Sequence, residues 1–174
     1  TASSSATISF VDGTSDVVLD DTYKEYLFTF NNIHPATNNT TFDFNISIDS
    51  GSNYNVAKTT TFFRTQHGEN DAGAELGYET GMDLAQGTGV QNITQSTGNG
   101  NDESSSGYLH LFNPSSTTFV KHFIATSCSY QGSDYQYQSF VGGYGNTTSA
   151  VDAIQFSMSS GNIDAGDICL YGIN

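Results

Sequence analysis

Apolar and polar residues alternate with a period of two through much of the chain, the pattern of strands that turn one face toward a core. Between Phe42 and Asp49 the alternation is unbroken: Phe42, Phe44, Ile46 and Ile48 fall on one side, Asp43, Asn45, Ser47 and Asp49 on the other. This predicts a strand with one wet side. Ile154, Phe156 and Met158 repeat the pattern near the C-terminus, opposed by Gln155 and Ser157. Enrichment in β-branched and aromatic residues between turn clusters predicts further strands over residues 6–11, 23–31, 59–64, 107–113, 118–129, 135–142 and 167–173. The separators are short polar or glycine clusters such as Asp12-Gly13, Asp49-Ser50-Gly51-Ser52 and Ser159-Ser160-Gly161, which permit tight turns. Eight or nine strands without interposed helices predict an all-β fold, an antiparallel β-sandwich closer to a jelly roll than to a seven-stranded immunoglobulin type.

Residues 66–101 interrupt the pattern. They are rich in Gly, Asn, Thr and acids, with isolated apolar residues such as Leu76, Tyr78, Met82, Leu84 and Val90. We expect one long ornamented connection here, with room for a strand at 91–95 and a turn of helix near Ala74. A loop of that length inside a compact domain is usually functional or tied to a partner. Residues 1–5 are small and polar and read as a linker or N-terminal arm, leaving 6–174 as a single domain.

Composition supports strands and excludes some partners. The apolar fraction of 36% is supplied largely by Tyr, Phe, Ile and Val, with no Trp and only 2 Met, a set suited to a pleated, half-buried surface. The many aromatics also argue against disorder in so polar a chain. Lys and Arg number 4 against 18 Asp plus Glu, for a formal charge of −14. Such a field repels phosphate backbones and anionic lipid heads, so nucleic acid and membrane surfaces are not expected partners. No apolar run approaches the length of a membrane helix.

The candidate chemistry is thin. Cys128 and Cys169 have no metal-type spacing, and either a disulfide between them or two buried free thiols fits the sequence. His34, His67, His110 and His122 have no nucleophile elbow nearby, and His110 and His122 fall within predicted strands. Acids in two loops, Asp16, Asp20, Asp21 and Glu25 in one and Glu69, Asp71, Glu75 and Glu79 in the other, could offer oxygens to Ca²⁺, but neither loop has the spacing of a calcium motif. Solvated acids are the simpler reading, and no cofactor is expected. Sequons at Asn38, Asn39, Asn45, Asn92 and Asn146 arise readily in a chain so rich in Asn and Thr. The stretch 127–138 holds Tyr130, Tyr135 and Tyr137 among amide and hydroxyl side chains, a mixture that suits either a glycan platform or a subunit interface.

Three blocks carry a resemblance: YKEYLFTFNNIHPAT at 23–37, LHLFNPSSTTFVKHFIAT at 109–126, and IQFSMSSGNIDAG at 154–166 with LYGI at 170–173. They resemble a family of structural proteins abundant in marine bacteriophages and described as virion or tail-fibre-like. The resemblance spans nearly the whole chain. It implies a β-sandwich displayed on a phage particle, often as a trimer, in an appendage or capsid-decoration role, and it brings no residue-level binding site. The expectation is therefore a non-enzymatic virion-surface structural protein, extracellular, self-associating and in contact with other virion proteins, with host-surface glycan as a further partner. Two alternatives belong to other classes. One is a secreted carbohydrate-binding module using the tyrosine-rich stretch, and the other is a filament subunit whose strand at 6–11 completes a neighbour's sheet. A polysaccharide depolymerase is disfavoured because no acid–base pair stands out.

Overall fold

Nine segments with strand-like patterning form strands, and two more strands arise inside the stretch expected to be a loop. The computed structural model describes residues Thr1–Asn174 and contains β1 (Thr7–Val11), β2 (Glu25–Pro35), β3 (Phe42–Ser47), β4 (Lys58–Gly68), β5 (Glu75–Tyr78), β6 (Gln91–Asn92), β7 (Ser105–Phe112), β8 (Lys121–Gln131), β9 (Tyr135–Gly145), β10 (Ala153–Met158) and β11 (Ile163–Ile173), with no helix. They make a four-stranded sheet, β1-β10-β3-β6, and a seven-stranded sheet, β11-β2-β7-β8-β9-β4-β5. Every pairing is antiparallel.

The turn of helix expected near Ala74 is not formed. Gly73 takes a φ of +69°, outside the right-handed helical region, and the chain then enters β5, which pairs with the long edge of β4 from Gln66↔Glu75 to Phe63↔Tyr78. The expected strand near residue 91 exists but is two residues long, paired to β3 through Phe44↔Gln91 and Asp43↔Asn92. The chain just after β6 is not loop-like: Ile93, Thr94 and Thr97 are buried. These residues fill space beneath the larger sheet, where Ser127 Oγ donates to Ile93 O at 2.8 Å and Gln95 N donates to Ser139 Oγ at 3.2 Å.

The two sheets pack across one core. Phe42, Phe44 and Ile46 of β3 and Ile154 and Phe156 of β10 meet inward residues of the larger sheet, among them Phe28, Phe30, Phe62, Phe123 and Val141. Phe156 lies near the centre, its ring 5.6 Å from Phe28, 5.3 Å from Phe30 and 5.6 Å from Phe42. Burying a ring of this kind contributes on the order of 2–3 kcal/mol, so alternation alone selects which face turns inward.

The other side of β3 is dry rather than wet, which corrects the sequence reading. Asp43, Asn45 and Ser47 are buried because loop chain folds over them, while Ile48 is exposed. Asn92 Nδ2 donates to Asp43 Oδ1 at 2.7 Å, and Asn45 Nδ2 donates to the carbonyls of Tyr54 and Thr88 at 2.6 and 3.1 Å. At the N-terminus, Ala2 is buried and its N–H donates to Gly166 O at 2.7 Å, while Ser5 and Ile163 exchange backbone bonds. Residues 2–5 thus run along β11 before the chain crosses to β1, which pairs with β10 of its own chain.

Candidate functional site

Cross-strand partners in an antiparallel sheet point their side chains to the same face. The register therefore reads the outer face of the seven-stranded sheet row by row. One row crosses all seven strands: Tyr78, Phe63, Phe140, Thr126, Tyr108, Thr29 and Cys169. The next crosses six: Thr61, Gly142, Ile124, His110, Leu27 and Tyr171. Neither row contains Asp, Glu, Lys or Arg. Of the ten large apolar side chains that the chain leaves exposed, six lie on this face: Phe63, Leu76, Tyr78, Tyr108, Ile124 and Tyr171. Concentration on one face makes it the candidate interaction surface, since exposed apolar residues scattered singly would need no explanation.

The side chains of the face are mutually supported. Phe63 and Phe140 stack at 4.9 Å, and His110 lies between Tyr108 at 5.4 Å and Phe112 at 6.0 Å. His110 Nδ1 pairs with Glu25, and Tyr78 OH donates to Asp83 Oδ2 at 2.6 Å, so both of these carboxylates beside the rows are bound to a partner on the face. A Cβ at Gly142 would meet only Thr61 Oγ1, at 3.8 Å, so the face has a shallow trough there.

Tyr130, Tyr135 and Tyr137 are not brought together. Tyr130 pairs with Gln136 across the β8–β9 hairpin, which puts it on the opposite face from Tyr135 and Tyr137. The latter two stack on each other at 6.3 Å. Tyr135 also lies against Gly68 and Gly73, and Arg64 sits over the Tyr137 ring at 5.4 Å. Arg64 in turn faces Glu79 at 2.7 Å, an ion pair set off the N–H direction, and Glu75 at 3.5 Å. This stack braces the β4–β5 corner. Tyr130 donates to Asp134 at 3.2 Å, and loss of hydration together with the nearby Glu69 and Asp134 carboxylates pushes its phenol up to about 12, so it stays a donor.

The remaining candidates are dispersed. His34 contacts Gly100 O at 3.1 Å, His67 pairs with Asp71 at 3.3 Å, and His122 makes no hydrogen bond and packs 6.0 Å from Tyr144. No three His, Cys, Asp or Glu side chains converge as a metal-holding group. Cys128 and Cys169 are free thiols, and both point to the outer face rather than into the core. They stand on β8 and β11 with β7 and β2 between them, about 14 Å apart in strand spacings, so no bridge can close within the chain. Compared with known protein families, curated proteins and solved structures, the chain matches none.

The sequence did not single out the outer face because its two rows draw on seven strands, each contributing only one or two residues. Register, which a single sequence does not supply, assembles them.

Proposed function

We propose that the protein is a non-catalytic structural subunit of a phage particle's surface, an appendage or capsid-decoration domain that assembles with copies of itself through the outer face of the seven-stranded sheet. One observation carries the assembly: two rows of residues cross that sheet without a charged group, in a chain of net charge −14. A basic partner would be met by carboxylates. The face instead suits a surface as uncharged as itself, and an identical copy presents one. Seven strands at about 4.8 Å make the face about 30 Å wide, an area of the same order as the roughly 800 Å² that each partner buries in a stable interface.

The placement on a phage particle rests on the resemblance of the three sequence blocks. Topology adds support of a general kind. We infer a jelly roll with an inserted hairpin: β1, β10, β3 and β6 correspond to one four-stranded layer, and β2, β9, β4 and β5 to the other, with β7–β8 inserted between β2 and β9 and β11 added outside β2. Jelly rolls recur in viral capsid and lectin domains, an analogy of fold and not of site.

Sedimentation velocity tests the assembly. The wild-type chain is expected to sediment as an oligomer and Ile124→Glu as a monomer with unchanged circular dichroism, because Ile124 is already half-exposed. Val90→Glu, on a loop away from the face, should leave the oligomer intact. A wild-type chain that stays monomeric at high concentration would defeat the proposal. Absence of its peptides from purified particles of the encoding phage would defeat the placement.

A further inference from the structure

We propose that a slot between the β7–β8 and β9–β10 loops binds a neutral saccharide, with Phe119 as the stacking ring. The slot has a volume of about 540 Å³ and is lined by Phe112, Asn113, Thr118, Phe119, Val120, His122 and Thr148. It lies one row beyond the uncharged rows of the outer face, toward the loop end of β7 and β8, and does not depend on assembly through that face.

Both walls are fixed before any ligand arrives. The Lys121 ammonium, buried beneath them, donates to Phe119 O at 2.7 Å and to Thr147 O at 3.2 Å, one carbonyl from each loop. Ser116 Oγ accepts from the N–H groups of Thr118 and Phe119 at 3.2 and 3.0 Å, and Val151 N donates to Pro114 O at 2.9 Å. On this anchored loop the Phe119 side chain is left 69% exposed. An aromatic ring held rigidly in water costs little further ordering when something stacks on it.

The polar lining selects the class of ligand. Asn113, Thr118, His122 and Thr148 make no side-chain hydrogen bond within the chain. An apolar surface laid on the slot would strip water from all four and return nothing. A pyranose ring offers a C–H face to Phe119 and hydroxyls that give and accept hydrogen bonds around it. In the cavity beside His34, by contrast, that imidazole and Glu103 are already hydrogen-bonded to Gly100. Charge narrows the class further. No Asp, Glu, Lys or Arg lines the slot, and the field of a −14 chain repels uronic and sulfated sugars.

The test is an array of neutral and acidic oligosaccharides built on glucose, mannose, galactose and N-acetylglucosamine, with hits confirmed by saturation-transfer NMR. The wild-type chain should bind at least one neutral member. Phe119→Ala should weaken that binding by about tenfold or more. Far-UV circular dichroism and melting temperature should be unchanged, since the ring is largely exposed, and His122→Ala should weaken binding less. Val90→Ala, equally remote from the core, should bind as the wild type does. Absence of any neutral ligand at millimolar concentration, binding confined to acidic sugars, or undiminished binding by Phe119→Ala would each overturn the proposal. A monomeric protein that still binds through Phe119 would count only against the assembly proposed above.

Discussion

Lys58 and Lys121 stand on either side of Gly145 in the ladder, and neither ammonium meets a carboxylate. Lys58 donates to Asn45 Oδ1 at 2.5 Å and Val56 O at 2.9 Å, while Lys121 donates to the two loop carbonyls of the slot. Both side chains are fully buried. Each behaves as an internal cation that gathers loop oxygens at one end of the sandwich.

Lys121→Met keeps the volume and removes the gathering charge. The expected result is faster amide hydrogen exchange at residues 117–120 and 146–149, with the exchange of β8 and β9 little altered. Global stability should fall by about 1–3 kcal/mol, because two loop carbonyls lose a charged donor. Unchanged exchange in both loops would show that the ammonium does not hold them.

Two buried charges should give opposite pH slopes. Burial raises the Asp43 carboxyl from 3.8 to about 6, outweighing its bonds from Thr41 and Asn92. The native state keeps this proton where the unfolded chain has lost it, so the stability it contributes is complete below about pH 4 and gone above about pH 6. Burial also lowers the Lys58 ammonium from 10.5 to about 8. Its contribution is complete above pH 10.5 and is lost as pH falls through 8. Urea denaturation of Asp43→Asn against wild type should show a difference that grows from pH 4 to pH 6, reaching up to about 3 kcal/mol in favour of the variant. A constant difference across that range would refute the burial of Asp43 as charge.

Amine labelling should count the buried lysines. The chain has three lysines, Lys24, Lys58 and Lys121, and only Lys24 is exposed. An acylating reagent at neutral pH should modify one lysine in the native chain and all three after denaturation, read by peptide mass mapping. Rapid native modification of a second would place a lysine outside the core.

Gly166 lies where β11 shifts register against β2, with a φ of +113°. A Cβ there would approach Asn32 O to 2.6 Å and Asn31 O to 2.9 Å. Backbone conformation and close approach both exclude a side chain. Gly166→Ala should cost about 2–4 kcal/mol in chemical denaturation. A cost below about 1 kcal/mol would mean that the bulge relaxes freely.

Much of the fold was legible because burial obeys parity along a strand. Phe42, Phe44 and Ile46 announce their inward face, and Ile154, Phe156 and Met158 do the same. Parity says nothing of what lies beyond the sheet, so Asp43 and Asn45 read as wet when loops in fact cover them. β5 carried too weak a signal, since Glu75, Leu76 and Tyr78 are exposed and Gly77 is only partly covered at a sheet edge with no opposing layer. The tyrosine trio parted for a reason of register: in the β8–β9 hairpin position 130 faces 136, so Tyr135 and Tyr137 take the other side. The saccharide slot was illegible because Phe119 gives no sign of exposure until the loop around it is anchored.

That anchorage separates framework from surface chemistry. Lys121 grips backbone oxygens, which every amino acid carries, so side chains at 118–120 and 148 can be exchanged while the loops stay in place. The slot is thus a mutable socket on a constant mount, and a library restricted to those four positions should yield folded proteins of altered sugar preference.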